Sequence, residues 1–200
     1  MASVNYAQKE MICKIVYYGC GLGGKTTNLQ YIHRQIDKSS RGDLVSLATP
    51  GERTLFFDFL PVEAPMLHGF RVKLQLYTVP GQVMYNATRK LVLRGVDGIV
   101  FICDSQWDKM KENVESLRNM EDNLHSYGYD ADTIPYVIQY NKRDLPNIAP
   151  VEYMDWVLKQ RGVPTFTSCA LDGGGVFDTL NGLCRYVLAD LYRKQRAGAL

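Results

Sequence analysis

The run Gly19-Cys20-Gly21-Leu22-Gly23-Gly24-Lys25-Thr26 places four glycines ahead of a lysine and a threonine. Glycines let the backbone turn tightly with its N–H groups aimed inward, and a following helix adds a positive N-terminal end, so the ligand this spacing suits is a phosphate chain. Lys25 then reaches the outer phosphates. Thr26, with Thr27 beside it, opens the helix and supplies a hydroxyl to a magnesium ion, which prefers oxygen ligands in octahedral geometry. The apolar run Lys14-Ile15-Val16-Tyr17-Tyr18 supplies the strand that such a loop must follow.

A second string, Asn141-Lys142-Arg143-Asp144, follows the apolar run 136–140. An ionised aspartate suits guanine, whose N1–H and exocyclic amino group lie side by side; adenine has no matching donor pair on that edge. Asp144 therefore selects GTP over ATP. Lys142 lays its methylene stem on the base face, and Asn141 ties the base loop back to the phosphate loop.

These residues need a scaffold of strand ends. Strand-like runs recur at 11–18, 55–62, 70–79, 98–103, 136–140 and 164–168, with helical patterns between most of them. In 108–127, Met110, Val114, Leu117 and Leu124 recur at helical spacing. Residues 151–160 read as a shorter helix with Trp156 packed. Val176, Leu180, Leu183, Cys184, Val187, Leu188 and Leu191 make the stripe of a C-terminal helix, whose basic end (Arg193, Lys194, Arg196) reads as solvated and suits the helix dipole. The runs 55–62 and 70–79 are joined by a short segment containing Pro65 and Gly69, so they pair antiparallel. The expected fold is α/β: a doubly wound, mostly parallel six-stranded sheet with one antiparallel edge strand and helices on both faces, in one domain spanning 1–200. Ligands then sit at the C-terminal strand ends.

Bulk composition narrows the partners. With 46% hydrophobic and 22% charged residues the chain is ordinary globular material, and a net charge of +2 provides no lopsided field for nucleic acid. The five cysteines are scattered without a C-x-x-C pair, which disfavours disulfides or zinc and fits a reducing cytoplasm. His33, His68 and His125 read as structural or surface residues. No apolar stretch is long enough for a transmembrane segment or a signal peptide, and neither end carries a lipid anchor motif, so any membrane recruitment goes through a partner.

Taken together, these motifs resemble the Ras-superfamily small GTPases over nearly the whole chain. More narrowly, Arg53-Thr54-Leu55-Phe56-Phe57-Asp58-Phe59-Leu60-Pro61, Tyr77-Thr78-Val79-Pro80-Gly81-Gln82 and the stretch 89–100 resemble the bacterial MglA-type GTPases, switches in polarity and gliding motility. The resemblance implies a small G-domain that binds GTP and GDP with Mg2+ and hydrolyses GTP slowly unless stimulated. It assigns Thr54 a hydroxyl on magnesium and an N–H on the terminal phosphate, Gly81 an N–H that senses that phosphate, and Gln82 the attacking water. Cys169-Ala170-Leu171 takes the last base-contacting loop, with the Ala170 N–H on the guanine carbonyl; most relatives have Ser and Lys around that alanine. Implied partners are a roadblock-type GTPase-activating protein (MglB-like) and polarity or motility effectors, with recruitment to a cell pole.

Two residues stand apart. Most small GTPases carry aspartate at Thr78, where the carboxylate holds a magnesium-bound water, so weaker magnesium retention is expected, although MglA-type proteins share the threonine. Asp58 faces opposite to Phe57 and Phe59 and reads either as solvent-facing, the favoured reading, or, if its strand moves, as an acid that compensates for Thr78. Arg53 reads either as an arginine finger supplied in cis or as a solvated switch arginine. The missing acid at Thr78 leaves open a second function, a GTP-holding scaffold with little turnover. A phosphate-loop kinase would give the Asp144 loop no purpose.

Overall fold

The computed structural model describes residues 3–5, 7–47, 57–67, 70–129, 133–159 and 162–196. In chain order the elements are β1 (Ser3–Asn5), β2 (Glu10–Gly19), α1 (Lys25–Gln35), β3 (Val45–Leu47), β4 (Phe57–Leu67), β5 (Phe70–Thr78), α2 (Asn86–Leu93), β6 (Gly98–Asp104), α3 (Met110–His125), β7 (Tyr136–Asn141), α4 (Val151–Leu158), β8 (Thr165–Thr167) and α5 (Val176–Arg196). The sheet runs β3-β4-β5-β2-β6-β7-β8, with β1 paired to β2. Strands β5, β2, β6, β7 and β8 are parallel, whereas β4 pairs antiparallel with β5 and β3 antiparallel with β4.

The α/β class, the parallel core and all six expected strands are present. The sheet has eight strands rather than six, because β1 and β3, of three residues each, add antiparallel pairs at Ser3↔Ile12 and Val45↔Phe59. Pieces this short carry no alternation that a sequence pattern could register. β4 also ends later than expected, at Leu67, and includes Pro65. Its pairing with β5 slips register between Ala64 and Leu67, the kind of irregularity that lets a strand accommodate proline.

The central strands β6 and β7 are buried along their whole length, as a strand covered on both faces must be. Alternation along β2 divides the core. Cys13, Ile15 and Tyr17 face α1 and α5 with Leu29, Ile32, Leu180 and Leu183. Val16 and Tyr18 face α2, α3 and α4 with Leu93, Leu117, Met120 and Met154. The stripe on α5 buries Val176, Leu180, Leu183, Val187 and Leu191 as its spacing required. Trp156 does not pack: it is 81% exposed, its ring resting 6.0 Å from that of Tyr153. Because α4 is a helix of only eight residues, its buried positions are satisfied by Met154 and Leu158, leaving Trp156 on the outer side. Among the described residues no helix is long and apolar enough to cross a membrane.

Candidate functional site

The phosphate loop leaves β2 where the strand order reverses direction, the place where an open α/β sheet forms its ligand crevice. Gly19 (φ 141°) and Gly24 (φ 104°) lie in the left-handed half of backbone space. Neither has room for a side chain: a Cβ would meet the Ile102 carbonyl oxygen at Gly19 and the Asn141 amide at Gly24. The turn closes through Gly23 N–H on the Cys20 carbonyl, at 3.4 Å, and Leu22 sits exposed at its tip with φ 60°. α1 starts directly at Lys25, so its first N–H groups open onto the loop.

Lys25 is buried and folds back on its own loop, donating from Nζ to the carbonyls of Cys20 (2.6 Å) and Gly19 (3.2 Å). Burial lowers its pKa to about 8; the Arg89 charge pushes the same way, while Asp58 opposes it. The loop therefore holds an ammonium short of counter-charge.

Asp58 is the largest departure from the sequence reading. It is fully buried, not solvent-facing. Its Oδ2 accepts the hydroxyls of Thr26 (2.6 Å) and Thr78 (2.9 Å), and its Oδ1 accepts that of Ser46 (2.6 Å). The expected alternation holds, but the rings do not mark the core side. Asp58, Leu60 and Val62 share the buried face, whereas Phe57 and Phe59 lie half-buried on the other side against Tyr77, at 5.8 and 4.8 Å between centroids. Compensation for Thr78 was the less favoured sequence reading of Asp58; Ser46 was a candidate that only the pairing of β3 with β4 could reveal.

Gly81 lies against Gly21, and Gln82, exposed to solvent, has its Cγ 4.0 Å from where a Gly21 side chain would begin. Arg53 and Thr54, expected at this end of β4, lie outside the described residues, as do Leu55 and Phe56.

The base side is assembled by Asn141. Its Nδ2 donates to the Gly23 carbonyl (2.8 Å) and its Oδ1 accepts the Ala170 N–H (2.9 Å), so one buried amide joins the phosphate loop, the end of β7 and the loop after β8. Lys142, at φ 64°, donates to Asp104 Oδ2 (2.6 Å), a buried carboxylate at the end of β6 whose Oδ1 accepts the Gln106 N–H. The pair fixes the Lys142 ammonium at this edge, and a carboxylate at the end of an apolar strand was the available sequence signal for it. Asp144 is exposed and Cys169 partly buried. Burial raises the Cys169 thiol, opposed by the Asp172 backbone. Leu171 is exposed beside them. A separate apolar cavity of about 410 Å³ lies under α5, lined by Cys13, Val62, Leu74 and Cys184, away from these loops.

A glycine loop at the end of β2, an oxygen-rich floor at Thr26, and an asparagine, lysine and aspartate at the end of β7 define a phosphate-loop α/β domain of the small G-protein type. The chain is 54% identical over 191 residues, 96% of its length, to the Mutual gliding-motility protein MglA of Myxococcus xanthus, covering 98% of that protein. It belongs to the MglA family of small GTPases. More distant relatives include Ras-related protein Rab-7a of Dictyostelium discoideum, 24% identical over 89% of this chain and 83% of that protein. Another is the Ypt/Rab-type GTPase ypt7 of Pyricularia oryzae, 23% identical over 96% of this chain and 90% of that protein. No protein-family model matches the chain.

Proposed function

We propose that this chain is a molecular switch that binds GTP, hydrolyses it to GDP and phosphate, and acts in cell polarity or gliding motility through partners that read its GTP form. The observation that carries the reading is the convergence of Lys25, Gly81 and Gln82 on one loop that Asn141, the residue before Lys142, also ties to the Ala170 N–H. Phosphates occupy the loop of 19–27, and Lys25 leaves its carbonyls for their oxygens. Guanine lies between Lys142 and the loop 169–171, its donors on Asp144. Gln82 orients a water; as the bond from its oxygen to the terminal phosphorus forms, the bond to the GDP oxygen breaks and GDP takes the electron pair. The proton leaves with the phosphate. Gly81 and Thr54 offer N–H groups to the terminal phosphate, and Arg53 supplies charge from the same chain.

The donors gathered at Thr26 fit a magnesium ion. The hydroxyls of Thr26 and Thr78 and the carboxylate of Asp58 are all oxygens, and the carboxylate brings the charge that Thr78 lacks. Thr26, Asp58 and Thr54 would hold the ion, which neutralises phosphate charge when bound. This arrangement supports hydrolysis over the alternative of a non-hydrolysing scaffold, which rested on the missing acid at Thr78. MglA-family membership supports a roadblock-type activating protein as partner, polarity or motility proteins as effectors, and a cytoplasmic protein drawn to a cell pole by them.

Phosphate release from GTP and ATP, with and without a roadblock-type activator, tests the reading. Slow release from GTP alone that the activator accelerates is expected. Equal use of ATP, or no release under stimulation, would overturn it.

A further inference from the structure

Among the described residues, Arg89, on α2, is the largest side chain fully withdrawn from water. A guanidinium keeps its charge at every pH a protein meets, and burying it is costly unless it is well bonded. Among the described residues it makes four hydrogen bonds, all to neutral acceptors: Nε to Tyr18 Oη (3.0 Å), Nη1 to the carbonyls of Gly81 (2.8 Å) and Pro80 (3.3 Å), and Nη2 to Ser116 Oγ (2.8 Å). Its Cζ also lies 4.3 Å over the Tyr18 ring. Among the described residues no carboxylate pairs with it.

Direction matters here. In a planar trans peptide the C=O and N–H point opposite ways. Holding the Pro80 and Gly81 carbonyls toward α2 therefore turns the N–H groups of Gly81 and Gln82 away from it, toward the side where Gly81 lies against Gly21. The other end of the clamp is Tyr18, the residue before Gly19, whose hydroxyl is bonded to Asn119 (2.7 Å) and Asn123 (3.0 Å) of α3. Arg89 thus joins the start of the phosphate loop to the segment that follows β5, and its field reaches Lys25.

We propose that Arg89 is a positioning residue for GTP hydrolysis, fixing the peptide units after Pro80 and Gly81 so that their N–H groups face the terminal phosphate, with the nucleotide phosphates as counter-ion to its buried charge. The proposal rests on the GTPase reading above. Triphosphate supplies more counter-charge and an acceptor for those N–H groups that GDP lacks, so Arg89 favours GTP over GDP.

Arg89→Lys and Arg89→Met in the full chain, each checked by thermal unfolding, test this. Titrations with GDP and a non-hydrolysable GTP analogue are run beside single-turnover hydrolysis. Arg89→Met is expected to lose hydrolysis by about 10- to 100-fold and to lose analogue affinity more than GDP affinity. Arg89→Lys keeps the charge without the fork, so it should retain the affinity ratio while losing the rate by about tenfold. Rates within about twofold of the parent in both variants, or equal losses of GDP and analogue affinity, overturn the proposal. If Arg89→Met does not fold, Arg89→Lys decides by rate: a loss at constant affinity ratio supports the clamp and an unchanged rate refutes it. A parent chain that hydrolyses no GTP defeats the GTPase reading and the clamp's catalytic half, while the affinity ratio still judges the charge.

Discussion

Adding one methyl group at Gly81 should separate hydrolysis from nucleotide binding. A Cβ there would lie 2.4 Å from Gly21 Cα, 2.9 Å from Gly21 N and 3.0 Å from the Cys20 carbonyl oxygen. All three neighbours are backbone, so no rotamer change relieves the clash. Ordinary contact begins at 3.4 Å, which requires the segment at 81–82 and the phosphate loop to part by about 1 Å. A displacement of that size between reacting groups is worth about 100-fold in rate. Gly21 gives the internal control, because a methyl there would meet Gly81 C at 3.9 Å and Gln82 Cγ at 4.0 Å, both comfortable. Gly81→Ala is therefore expected to slow single-turnover hydrolysis about 100-fold while GDP, which has no terminal phosphate for Gly81 to meet, binds nearly as before. Gly21→Ala should fold and bind GDP like the parent. Hydrolysis by Gly81→Ala within about threefold of the parent, with an unfolding midpoint also unchanged, would mean that the contact between 81 and 21 does not set the reacting geometry.

Asp144→Asn exchanges a carboxylate for an amide that can donate, so it should cost GTP about 10- to 100-fold in affinity and favour a base with a carbonyl at the same position, such as xanthine. Competition between GTP and XTP reads this, and an undiminished GTP preference would refute the base assignment. Asp58→Ala leaves the hydroxyls of Thr26 and Thr78 without their shared acceptor. The variant should need about tenfold more Mg2+ to retain bound nucleotide; an unchanged magnesium titration counts against Asp58 as a ligand. Lys25 has its pKa lowered by burial from 10.5 to about 8, which gives two opposite pH slopes. Below about 8 folded and unfolded chains both carry the proton and the full penalty of burying it; from there to about 10.5 the unfolded chain binds more protons, so nucleotide-free stability rises with pH. GDP affinity, which needs the ammonium, should fall over that window, and titrations paired with denaturant unfolding would expose any failure of the two slopes to oppose.

The parts of the fold legible in the sequence were those held by local rules. β6 and β7 read as continuous apolar runs because both faces are covered, and the stripe on α5 kept its helical spacing because one face meets the sheet. The phosphate loop and the string from Asn141 to Asp144 were legible for a different reason: each is a set of residue types at fixed local offsets. Short β1 and β3 escaped because three residues have no periodicity, and they exist only by pairing with longer neighbours. Arg89 escaped too. An arginine in an amphipathic helix reads as surface, and nothing local tells that Tyr18, Ser116 and two carbonyls will surround it.

Asp58 and Thr78 carry this distinction into the chemistry. Read strand by strand, Thr78 stands where most small GTPases carry an acid, and alternation says of Asp58 only that it faces opposite to its ring neighbours. Phe59 pairs with Tyr77 across the antiparallel ladder, which sets Asp58 beside Thr78 on the same buried face, and the backbone N–H of Asp58 donates to Thr78 Oγ1 at 2.8 Å. The hydroxyl returns a bond to the carboxylate. A threonine is thus the better partner at this position: an aspartate at 78 would face Asp58 across the ladder, two like charges in a buried site, and one of them would have to stay protonated. The threonine and the displaced acid are therefore one arrangement, in which the carboxylate is moved from β5 to β4. Restoring aspartate at position 78 alone should weaken the site, whereas Thr78→Asp combined with Asp58→Thr should recover magnesium-dependent nucleotide retention. A single Thr78→Asp variant that retains nucleotide as tightly as the parent would show that the two positions are not coupled.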